Sequence, residues 1–172
     1  MANITFNISL FCYLLSSLGY TFYLVYRESM VNQVSAISLG IGLLSHSTNI
    51  VLRSIETGHG PYTTGFEITS FLSWVIVVIF FLTEYKYRIK DLGAFVIPVV
   101  FLILFFSAFQ SREILLIDES ATMFWLTMHR TLSIIGYGAF AIAFGAALMY
   151  LIQENLEDTT HIGNKNMIIK KL

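Results

Sequence analysis

Five long apolar runs, separated by short polar stretches, make up most of this chain. They fall near residues 6–26, 34–52, 66–82, 92–109 and 130–152. Crossing the hydrocarbon core of a bilayer takes about 20 mostly apolar residues in a helix, and each run comes close to or exceeds that length. The pattern therefore predicts an all-α, polytopic membrane bundle of five transmembrane helices. The first run is predicted to remain as a helix rather than to be a cleaved signal, because residues 1–8 carry no Lys or Arg and no small-residue cleavage site follows. Short connections predict antiparallel neighbours in a single unit over 1–154. Residues 155–172 are expected to be a cytoplasmic polar tail or the start of a further C-terminal part.

Composition agrees with this class. Of 172 residues, 56% are hydrophobic and 12% charged, and the mean hydropathy is +0.72. A water-soluble globule of this size needs more polar surface than that. The lipid bilayer is thus the first expected partner. No extended basic patch interleaved with aromatics occurs, so nucleic acid is not expected. The single cysteine, Cys12, lies in an apolar run, which leaves no Cys-x-x-Cys pair and no covalent haem-attachment motif.

The distribution of cations orients the bundle. Arg27, then Lys86, Arg88 and Lys90, then Lys165, Lys170 and Lys171 share one side of a five-helix topology, and the other side holds Arg53, Arg112 and Arg130. The positive-inside bias predicts the seven-cation side to be cytoplasmic. The N-terminus, the 58–65 turn and the 110–128 segment are then external, together with His59 and His129. His161 falls in the cytoplasmic tail, and His46 lies within the membrane.

Ionisable groups at membrane depth are costly and thereby mark candidate sites. His46, Asn49 and Arg53 form a polar stripe on one face of the second helix, rising to the outer surface. Glu67, Ser70 and Trp74 run inward at similar spacing on the third, which makes Arg53 and Glu67 expected partners across the outer turn containing Pro61. On the fifth helix His129, Ser133 and Gly136 share a face, and Gly136 leaves room for a flat ligand or a close helix. A plainer reading stands beside this one. In it His46 bonds a neighbouring carbonyl, His59 is a turn residue, and the Arg and Glu side chains are interfacial anchors. The residues alone give ligand candidates without naming a ligand. Ala139, Ala143 and Ala147 recur every fourth position, and that small-residue spacing predicts a close helix contact.

Several stretches resemble one family. These are Gly58-His59-Gly60-Pro61-Tyr62, Phe66-Glu67-Ile68-Thr69-Ser70, Leu92-Gly93-Ala94-Phe95-Val96-Ile97-Pro98, and Trp125-Leu126-Thr127-Met128-His129 followed by Gly136-Tyr137-Gly138-Ala139-Phe140 and Met149-Tyr150-Leu151-Ile152-Gln153-Glu154. In this order they resemble the CcsA (ResC) cytochrome c biogenesis proteins of the wider cytochrome c assembly family. The resemblance implies a protein of the system II pathway that carries or presents haem b, not covalently attached, at the external face. With a CcsB (ResB) partner it would join haem to an apocytochrome c, which would make it a component of a haem lyase complex. It also implies that His129 is the first external axial ligand to haem iron, that His46 matches a histidine-bearing stretch of the second helix, and that Glu67, Arg53 and Pro61 are structural or orienting. A neutral imidazole suits iron ligation while its second nitrogen is fixed by another acceptor. The setting implied is the bacterial cytoplasmic membrane in preference to the plastid thylakoid.

The chain departs from that family in that neither the tryptophan-rich external WWD loop nor the later external histidine that completes axial ligation occurs in these residues. Its tryptophans are Trp74 and Trp125. It is expected to be either the N-terminal part of a longer protein or a reduced relative. Two further functions remain open: a HemX-like membrane anchor or regulator of haem biosynthesis, and a small transporter subunit in which His46 and Arg53 line a polar path.

Overall fold

The computed structural model describes residues 2–114 and 124–169, with side chains of the last helix as far as Asn155. Five helices appear in the expected order: α1 (Ala2–Tyr26), α2 (Ser29–Thr57), α3 (Gly65–Tyr87), α4 (Gly93–Ser107) and α5 (Phe124–Ile169). All five are long and apolar enough to cross a membrane, α4 together with the 3₁₀ turn Lys90–Leu92 that precedes it. No strand occurs among the described residues. Most helices outrun their apolar stretches, because a helix keeps its backbone hydrogen bonds internal and can continue into polar sequence until a capping residue stops it.

Those stops are visible in the backbone. Gly58 adopts a left-handed conformation (φ 73°) and returns its N–H to the Ser54 carbonyl, ending α2. Arg27 and Arg88 take the same left-handed geometry at the ends of α1 and α3, where their N–H groups reach Tyr23 O at 2.9 Å and Glu84 O at 2.7 Å. Thr64 starts α3 with a reciprocal capping box: its hydroxyl accepts from Glu67 N, and the Glu67 carboxylate accepts from the Thr64 backbone. Pro98 lies inside α4, where it withholds one N–H from the Ala94 carbonyl without ending the helix.

Helix α1 packs along both α2 and α4, while α3 packs against α4 and α5. The α1–α2 contact is close and hydrogen-bonded. Ser16 Oγ donates to Ser35 O at 2.9 Å, Ser38 Oγ to Cys12 O at 3.1 Å and Ser45 Oγ to Thr5 O at 3.0 Å. A Cβ on Gly42 would come within 2.8 Å of the Tyr13 ring, so the glycine is what admits that ring. Lipid tails are as apolar as leucine, so such small-residue and hydroxyl contacts hold membrane helices together where water exclusion cannot. The core runs through Tyr13, Tyr20, Leu39, Val77, Phe80 and Ile97.

The small-residue expectation for α5 is corrected. Ala139, Ala143 and Ala147 are exposed, and the packed face carries Ile134, Gly138, Ile142 and Gly145 instead. A Cβ on Gly138 would meet Val75 Cγ1 of α3 at 2.7 Å, and one on Gly145 would meet Val96 Cγ2 of α4 at 2.6 Å. The glycines permit the closer approach, so they take the contact and the alanine row faces away from α3 and α4.

Candidate functional site

One end of the bundle gathers the N-terminus, the α2–α3 turn, the chain after α4 and the start of α5. At its centre Arg53 Nε donates to Glu67 Oε1 at 3.3 Å, the pairing the sequence pattern predicts; their side chains are 11% and 2% exposed. Glu67 is bonded on its other oxygen as well, where Oε2 accepts from the backbone N–H groups of Thr63 and Thr64, both at 3.2 Å. Arg53 Nη2 donates to the carbonyls of Arg112 (2.8 Å) and Glu113 (3.3 Å), tying the segment after α4 to α2. One ion pair thereby fixes α2, the start of α3 and a loop.

The Pro61 turn sits on this pair. His59 Nδ1 lies 2.9 Å from the Gly60 carbonyl, 3.2 Å from the Thr63 hydroxyl and 3.9 Å from Glu67 Oε2. Its Nε2 is buried and has no hydrogen-bond partner among the described residues. After Pro61, the Tyr62 hydroxyl comes within 3.4 Å of Thr127 Oγ1, and the Arg130 guanidinium lies over the Tyr62 ring. The turn thus reaches the first residues of α5, within one helical turn of His129.

His46 and His129 occupy opposite environments. His46 is fully buried, with Nε2 2.9 Å from Ser70 Oγ and Nδ1 3.3 Å from the Tyr13 hydroxyl. Both ring nitrogens are engaged, so the residue joins α1, α2 and α3 at membrane depth. Its partners are side-chain hydroxyls, not the backbone carbonyl of the plainer reading. Trp74 Nε1, donating to Ser47 Oγ at 2.9 Å, adds a second polar tie between α2 and α3. His129, by contrast, is exposed on α5 in an open pocket of about 330 Å³ with Trp125, Met128, Leu132 and Ser133. The same face continues to Gly136, where, beyond the adjoining backbone of α5 itself, no atom of the described residues lies within 4 Å of the position a Cβ would take. The two histidines are not brought to a common site. Among the described residues no three His, Cys, Asp or Glu side chains are grouped to hold a metal ion.

Sequence reasoning missed three contributors. Tyr13 is one; its place between Phe6 and Tyr20 at heptad spacing signals a buried aromatic row, and its hydroxyl then needs a partner. Arg112 and Asn3 are the others, joined by Arg112 Nη1 donating to Asn3 Oδ1 at 2.7 Å. Arg112 lies outside any helix, and Asn3, though in the first turn of α1, precedes the apolar run that starts near residue 6, so periodicity pointed to neither. Part of the predicted external segment, residues 115–123, and the His161 side chain lie outside the described residues.

The fold and this end of it define a class: a multi-pass helical membrane protein with one buried, fully bonded histidine and one histidine open on an apolar helix face. The cytochrome c assembly protein family matches residues 62–171, and the chain belongs to that family. It is 25% identical to the cytochrome c biogenesis protein CcsA of Guillardia theta over 168 residues, covering 92% of this chain and 54% of that one. It is 28% identical to protein HemX of Brevibacillus brevis over 153 residues, covering 88% and 56%. With CcsA of Trichormus variabilis it shares 26% identity over 126 residues, covering 71% and 36%. The chain thus spans about half, or less, of the length of these curated relatives. No solved structure matches it.

Proposed function

We propose that the chain is a haem-handling membrane protein of cytochrome c biogenesis, which carries or presents haem b at the external face for attachment to apocytochrome c. The observation that carries this reading is the environment of His129. Its imidazole is exposed at a helix end, and the neighbouring Trp125, Met128 and Leu132 give apolar contact to a flat macrocycle. The open backbone at Gly136 extends the same face. His129 is the iron ligand in this reading, and haem b is cargo. Family membership and the CcsA relatives support the pathway; a CcsB (ResB) type partner and a bacterial cytoplasmic membrane are part of the proposal. The external assignment of this end rests on the cation bias.

His46 has a different part here. With both nitrogens bonded in a closed interior it secures α1, α2 and α3, and haem could reach it only if the Ser70 or Tyr13 contact opened. Glu67, Arg53 and Pro61 orient the turn that borders the start of α5.

The similarity to protein HemX favours a second reading, a membrane anchor or regulator of haem biosynthesis. The two are separated by haem content after purification and by cytochrome c maturation in cells relying on this gene. A protein that presents haem retains it, and His129→Ala loses both haem and maturation. An anchor or regulator is purified without haem, and His129→Ala leaves maturation intact.

A further inference from the structure

Beside the Arg53–Glu67 pair lies a polar cavity of about 230 Å³, lined by Ala2, Asn3, Asn49, Arg53, Glu56 and Phe66 together with Arg112. Its two guanidiniums are not equivalent. Arg53 is neutralised by Glu67. Arg112 is held by Asn3 and lies against two aromatic rings, 4.6 Å from the Phe6 centroid and 4.8 Å from the Phe66 centroid. Among the described residues no carboxylate is within ion-pair distance of it. Burial, and then the neighbouring Arg53 charge, lower its pKa from the ordinary arginine value. A partly desolvated cation facing a cavity, with no ion-pair partner among the described residues and beside a like charge, is an incomplete electrostatic arrangement.

We propose that this cavity binds a carboxylate group, with Arg112 as its anchor and the Asn3 amide, whose Oδ1 accepts from Arg112, as a flanking donor; Asn49, whose amide N–H group is taken by Ala2 O and Thr5 Oγ1, closes one wall. A planar guanidinium matches a carboxylate through two parallel N–H···O bonds. A singly charged group fits better than a doubly charged phosphate. With Arg53 paired to Glu67, Arg112 is the one guanidinium left for an anion, and the Glu56 carboxylate at the exposed rim opposes negative charge, a penalty that is larger for a doubly charged group. The carboxylate comes either from a free small acid or from a carboxylate arm of the porphyrin cargo. The porphyrin source rests on the haem-handling reading above; the site itself does not.

The first arm uses haem-free protein in detergent and follows its melting temperature in sodium acetate against sodium chloride of equal ionic strength. Ligand binding to the folded state raises the midpoint by mass action. Wild type is expected to gain stability from acetate beyond that from chloride, and Arg112→Gln to lose that gain through an affinity reduced about tenfold, the scale of a charge-assisted bond. Glu56→Gln, at an exposed rim position, is expected to increase the acetate response and serves if Arg112→Gln folds poorly. No acetate-specific gain in wild type, or equal gains in all three proteins, overturns the site. The second arm compares binding of haem b with that of its dimethyl ester. Preference for the free acid, abolished by Arg112→Gln, assigns the carboxylate to haem. Equal binding of the two, with the acetate effect intact, assigns the site to a free acid.

Discussion

Removing the Glu67 carboxylate should be among the most damaging single changes at the candidate site. In Glu67→Ala three bonds go at once: the Arg53 pair at 3.3 Å and the two backbone N–H groups of Thr63 and Thr64 at 3.2 Å. Arg53, 11% exposed, is left with carbonyl partners and no counter-charge. Stranding one member of a buried pair costs about 3–5 kcal/mol. Each orphaned N–H would cost about 1–3 kcal/mol if fully buried, but the turn can expose them, so the total is set at about 3–5 kcal/mol. Glu67→Gln keeps the shape and one acceptor, and should cost about half as much by retaining part of the cap. Arg53→Gln combined with Glu67→Gln should cost less than the sum of the two single changes, since neither charge is then stranded. Reversible unfolding in mixed detergent micelles, followed by far-UV circular dichroism, measures Glu67→Ala, the two Gln single variants and the double variant against wild type. A loss under about 1 kcal/mol for Glu67→Ala, or strict additivity in the double variant, would refute the argument that this pair holds the turn.

Three further outcomes follow from the packing and topology. Ile142→Ala, at an 8% exposed position of α5, should cost roughly 2 kcal/mol through lost packing, whereas Ala143→Leu on the open face should leave the yield of folded protein unchanged; the reverse order in detergent extraction would contradict the α5 orientation. His46→Leu should destabilise the bundle, because the Ser70 and Tyr13 hydroxyls lose their shared partner, and Tyr13→Phe should be milder; a neutral His46→Leu by thermal melt would deny that His46 joins the three helices. A reporter active only outside the cell should be silent when fused after Lys90 and active after Thr64, and the opposite pattern would reverse the assignment of ends.

The parts of this architecture legible in the sequence are those governed by local periodicity. Five apolar runs set five helices, because bilayer thickness fixes their length. The three-and-four spacing of Arg53 and Glu67 about a turn was enough to pair them, since both lie at the same depth on facing helices. The partners of His46 were not legible. Ser70 lay on a stripe already noted, but Tyr13 arrives from α1, and sequence spacing within one helix says nothing about which helix lies opposite. The face of α5 was misjudged for a related reason: alanines and glycines alternate around it, and the choice between them depends on how closely Val75 and Val96 approach. Arg112, in an irregular segment, gave no periodic signal. The resemblance to the family came from ordered short matches, and the family match over residues 62–171 includes those in α3, α4 and α5.

The central claim, that His129 presents an open ligand position to haem iron, is tested most directly by chemical rescue. The His129→Gly variant is purified in detergent, reconstituted with haem b and followed by its absorbance spectrum as imidazole is added. The account predicts weak haem retention without imidazole and recovery of the wild-type spectrum with it, because the exposed helix face admits a free imidazole where the side chain stood. Wild-type haem content and spectrum in His129→Gly before any imidazole is added would contradict it.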